Sequence, residues 1–155
     1  MTPAKRTGMD VNKLNVFGAY IAILIMTTGI LIFAFRMARN EAAEYWTGIL
    51  FMLSAIPLIY LLFTAFTIDR PTIYFVQLVV MIGFITLELM LDYVLKVDFR
   101  SIRWASISYV IFFFAGTGGM IGVASLAGRP WMIASIVLFF AMTALAFLQH
   151  IKTGL

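Results

Sequence analysis

Five stretches of the chain, residues 16–35, 46–67, 72–95, 104–127 and 131–149, are dominated by apolar side chains. Each has about the ~20 residues that a helix needs to cross the hydrocarbon of a bilayer. Hydrocarbon supplies no water to backbone N–H and C=O groups, so a spanning segment must bond them within itself as a helix or join a closed barrel. The barrel signature, alternation with period two in units of ~10 residues, is absent. The sequence therefore predicts an all-α, polytopic membrane protein with five transmembrane helices in a single compact bundle. Four spans plus one re-entrant or interfacial segment is the other arrangement that the pattern admits.

Composition points the same way. The chain is 63% hydrophobic and 12% charged, against the ~25% charged residues of soluble domains. Its mean hydropathy is +1.04. No run of Ser, Pro or Gly offers a linker, so residues 1–155 are expected to form one transmembrane domain, with 1–15 a short basic tail. The first apolar run is longer than the ~7–15 residues of a signal-peptide core, and Arg36-Met37-Ala38-Arg39 makes a poor cleavage site, so it reads as a retained helix.

The breaks between runs carry turn chemistry. Asp69-Arg70-Pro71 places a capping carboxylate ahead of a proline, and Gly128-Arg129-Pro130 places a helix-ending glycine ahead of another. Both connections should be tight, setting the second run beside the third and the fourth beside the fifth. Trp46, Trp104 and Trp131 all fall at predicted helix starts, where amphipathic rings settle at the headgroup level. Basic residues divide five against six between the two faces, led on the N-terminal side by Lys5, Arg6 and Lys13. The first helix usually dominates orientation, which favours a cytoplasmic N-terminus in a plasma or inner membrane.

The formal charge of +4 comes from Lys and Arg scattered in pairs through short loops, so anionic lipid rather than nucleic acid is the expected counter-charge. With no cysteine, disulfides, thiolate metal sites and cysteine nucleophiles are excluded. The ten methionines are dispersed and read as packing, and His150 alone is a poor metal or haem ligand, so no cofactor or metal is expected. No established enzyme motif appears, and the reading leans away from an enzyme.

Two acids stand inside the third run, Glu88 and Asp92. A carboxylate at the middle of a bilayer costs at least ~2.5–3.5 kcal/mol on insertion scales, so a partner or a function must offset it. Asp92 has Lys96 one turn onward, in the favourable acid-then-base order. Glu88 lies deeper, with Phe84 one turn towards the core, and must be protonated, hydrogen-bonded within the bundle or facing water. At ~100° per residue, Tyr74, Gln77, Met81, Glu88 and Asp92 fall on one stripe. Alternating helix directions bring Arg36, Arg103, Tyr109, Gln149 and His150 to the same end of the bundle. A carboxylate, a histidine and arginines around a wet vestibule are the parts of a proton relay or small-cation site; the bland reading is charges snorkelling at helix ends.

The fourth run carries small residues at helical spacing: Gly118 and Gly122 form a GxxxG, and Ala115 and Gly119 repeat it one step round. Such faces let backbones approach closely where lipid supplies no hydrophobic drive. They are expected to pack against Ala134, Ala141 and Ala144 of the fifth run or against a second copy. Pro57, with Ser54 nearby, should bend the second run.

Two functions follow. One is a subunit or accessory of a membrane assembly, or a homo-oligomer, packing through the Gly-rich fourth helix with Glu88 as an internal anchor. The other is an ion- or proton-coupled transporter or channel in which Glu88 titrates. In plan, though not in motif, a small chain with one deep carboxylate is similar to small multidrug transporters. An enzyme acting on lipid headgroups through Glu88, Asp92 and His150 is the third and least favoured.

Overall fold

The computed structural model describes residues 3–95 and 102–153, the side chains of 3–10, 93 and 153 excepted. Among these there are only helices and turns: α1 (Pro3–Met37), α2 (Glu41–Leu53), α3 (Ala55–Thr67), α4 (Thr72–Glu88), α5 (Arg103–Ser125) and α6 (Arg129–Thr153). Five spans are long and apolar enough to cross a membrane: α1, α2 with α3, α4, α5 and α6. The first helix starts at Pro3, well before the expected boundary at residue 16. Nothing after Pro3 breaks the helix, and proline is tolerated at a first helical position, where no N–H is needed.

The second span is interrupted, as the sequence leads one to expect, and the break falls at Ser54, three residues before Pro57. Proline lacks an N–H and cannot serve the carbonyl one turn back. At the break the Ser54 hydroxyl turns back on its own helix and donates to the Phe51 carbonyl at 2.5 Å. The third span also changes form: beyond Glu88 it continues as wider π-helical turns, Leu89–Leu95. Such turns inside helices are rare and concentrate at functional sites.

The tight turns work differently from expectation at one point. Asp69 does not cap α4; Pro71 occupies the cap position without a side-chain bond. Asp69 instead adopts a left-handed conformation, φ 50°, which a short polar side chain tolerates better than most. Gly128 takes φ 120° after α5, a conformation open to glycine and strained for other residues. Asn40 caps α2, its side chain accepting the Ala43 N–H at 3.2 Å.

Helices α1 and α5 are the middle of the bundle. Helix α1 packs against α6, α2 and α5, while α5 also packs against α4 and α6, and α3 lies against α4. The sealed core runs through Ile25 and Met26 of α1, Leu58 of α3, Leu78 of α4, Met120 of α5 and Met142 of α6. Where helices come closest, glycine makes the room: a Cβ on Gly29 of α1 would stand 2.7 Å from Met142 Sδ. The surface carries large apolar side chains, Val137, Phe140, Phe147 and Ile151 on α6 among them. That inversion suits lipid, which needs no polar exterior.

At the end of the bundle where α1 begins, the Arg70 guanidinium donates to the Asn15 side chain and sits 5.1 Å from the Tyr74 ring centroid. A cation over an aromatic face contributes about 0.5–1 kcal/mol when exposed. The pair ties the turn before α4 to α1. The other end gathers Arg36, Glu44, Glu88, Tyr109, Gln149 and His150.

Candidate functional site

Helix α4 lies antiparallel on α5, and one stripe of α4 meets α5 along its length. Near the start of α4, Gln77 covers Gly119 and Gly122; in the middle, Met81 and Phe84 lie against Gly116. At the far end, the Tyr109 hydroxyl donates to Glu88 Oε2. The stripe expected from helical spacing is therefore a contact stripe, with its amide and its deep carboxylate both on α5. The expected joint site does not form around Gln77, because eleven residues of helix set it ~16 Å from Glu88 along the axis.

Glu88 and Tyr109 are both half-buried. The bond crosses between two helices, so it answers the demand that the sequence makes of an acid inside the hydrocarbon. A carboxylate that accepts a hydroxyl proton in this way is oriented as well as stabilised. Asp92 lies one turn further out within the π-helical turns, also half-buried. Its expected partner Lys96 lies outside the described residues.

Tyr109 has a second role in the geometry. It forms part of the wall of a cavity of about 320 Å³ between α1, α5 and α6. The polar lining is Arg36, Ser106, Tyr109, Gln149 and His150; the apolar lining is Phe33, Val110, Phe113, Phe114, Ala146 and Phe147. Among the described residues no carboxylate lines it. Gln149 is 6% exposed, while His150 stands at the exposed rim. Aromatic rings stiffen the inner wall: Phe33 and Phe113 meet edge to face at 5.9 Å, and Phe113 and Phe114 at 5.2 Å.

The structure thus gathers Arg36, Tyr109 and His150 around one cavity and links Glu88 to it through Tyr109. Arg103 is exposed and does not line the cavity. Arg36 is also paired: its Nε donates to Glu44 Oε1 at 2.7 Å, across the turn between α1 and α2. Glu44 was not among the residues singled out from the sequence, although its place just after that turn is the available signal. The phenylalanine walls were also missed, because within uniformly apolar runs nothing marks which phenylalanines face inward.

The small residues of α5 do not share one neighbour. Gly119 and Gly122 face Gln77, a Cβ on Gly118 would stand 3.8 Å from the Phe139 ring of α6, and Ala115 is exposed. A Cβ on Gly122 would stand 2.8 Å from Gln77 Cδ. Ala141 and Ala144 of α6, expected to meet this face, are exposed. Among the described residues no three His, Asp or Glu side chains converge as metal ligands would.

Set beside protein-family models, curated proteins and solved structures, the chain matches none.

Proposed function

We propose that the protein is a small proton-coupled membrane transporter or channel, in which the cavity at the polar end receives the solute and Glu88 is the titrating carboxylate. The observation that carries this reading is the Tyr109 side chain, which bonds Glu88 on one side and lines the cavity on the other. A group that changes protonation must feel the presence of a solute for the two to be coupled. Tyr109 provides that connection in a single side chain. The π-helical turns next to Glu88 add a departure from α-helical bonding of the kind that concentrates at functional sites.

Assembly through the Gly-rich α5 has less to support it. Two of the glycines that would form the contact are filled by Gln77 of the same chain, and a third rests on Phe139.

The test is proton uptake into proteoliposomes carrying a trapped pH dye, driven by a potassium diffusion potential. The wild type should exceed protein-free vesicles. Glu88→Gln, which keeps a hydrogen-bonding side chain and removes the titration, should return uptake to the vesicle background. Undiminished uptake with Glu88→Gln would overturn the reading.

A further inference from the structure

We infer that the cavity binds a single-chain anionic amphiphile, a medium-length alkyl chain ending in a carboxylate or phosphate. The inference deepens the proposed function, since it names the solute class for the same cavity. Three helices line it, and each presents the same order from the membrane face inward. Helix α1 offers Arg36 and then Phe33; α5 offers Ser106 and then Phe113 and Phe114; α6 offers His150 and Gln149 and then Phe147. From Ser106 to Phe114 the helix rises ~12 Å. The cavity is therefore polar at its outer end and aromatic at its inner end, open along the side where Val110 and Phe147 are exposed, which is the profile of an amphiphile and not of a hydrated ion.

Charge sets the sign of the head. Arg36 brings a fixed positive charge to the cavity, His150 adds a ring nitrogen at its rim, and among the described residues no carboxylate lines it. Glu44 takes the Nε–H of Arg36, one of the five N–H donors of a guanidinium. Glu88 is held on the far side of Tyr109. Gln149, almost fully buried in the wall, adds an amide that can bond the head. Size sets the number of chains: about 320 Å³ is at the lower limit of the ~300–1,000 Å³ of small-molecule sites, too small for a two-chain phospholipid.

Purified protein in nanodiscs of uncharged phosphatidylcholine tests this with radiolabelled dodecanoate. Saturable binding of one dodecanoate per chain is expected, displaced by dodecyl phosphate and at least about tenfold less well by dodecyltrimethylammonium. Arg36→Gln should weaken binding about tenfold while Arg36→Lys largely preserves it. Ala146→Trp should fill the inner end and abolish it in protein that remains monodisperse. Equal competition by the cationic amphiphile, displacement by phosphatidylglycerol as effective as by dodecyl phosphate, or no saturable binding would overturn the inference. The discs hold no proton gradient, so a failure here removes the ligand class and leaves the titration of Glu88 to its own experiment.

Discussion

At the scale of single residues, the protein turns on how an acid is kept inside a membrane. Glu88 is held by a hydroxyl from a neighbouring helix, and interhelical bonds of this kind contribute about 0.6 kcal/mol on average and up to about 1.7 kcal/mol in membranes. Tyr109→Phe should therefore lower unfolding stability in detergent by about 0.5–2 kcal/mol. A double-mutant cycle with Glu88→Ala, which removes the acceptor, should return a coupling within that range. That Glu88 needs a partner, and that Tyr109 reaches the same end of the bundle, was legible from depth and chain direction. Which of the groups at that end would answer was not, because a sequence leaves the rotation of α5 about its axis open. The same blindness hid the Arg36–Glu44 pair, which depends on the path of a short turn.

At the scale of elements, the small residues of α5 specify close approach without naming the neighbour. The GxxxG spacing correctly marked a face that lacks side chains, but the covering partner is the amide of Gln77 rather than the alanines of α6. A long polar side chain in α4 can lie flat across two glycines, and periodicity alone does not reveal that. Gly122→Ala should force the flexible end of Gln77 aside and destabilise the α4–α5 contact by about 0.5–1.5 kcal/mol, the cost of a displaced rotamer. Adding Gln77→Ala should restore most of that loss, whereas Gly118→Ala, facing Phe139 at ordinary contact distance, should have little effect. Thermal unfolding of the three variants separates these outcomes. If Gly118→Ala proved as harmful as Gly122→Ala, the contact between α4 and α5 would have to be redrawn. An interruption of the second span was legible from Pro57, which leaves the helix one N–H short, and it falls three residues earlier, at Ser54.

At the scale of the molecule, five spans and their order were legible because bilayer thickness and backbone bonding leave so few solutions. The cavity was not, since it is a space left between three helices and no residue pattern encodes a gap. The apolar exterior of α6 also makes a prediction: Val137, 61% exposed, faces lipid in a five-span protein. Val137→Lys should cost about 2.5–3.5 kcal/mol of insertion, read as a reduced inserted fraction in a glycosylation-based membrane insertion assay, and Val137→Leu should not. The central claim, that Glu88 changes protonation with Tyr109 as its partner, is tested most directly by infrared difference spectra of the reconstituted protein between alkaline and acid pH. A carboxylic acid C=O band should grow on acidification, vanish in Glu88→Gln and shift in Tyr109→Phe as the hydroxyl bond is lost. Spectra in which Glu88→Gln removes no titrating band would contradict the claim and leave Glu88 as a fixed structural anchor.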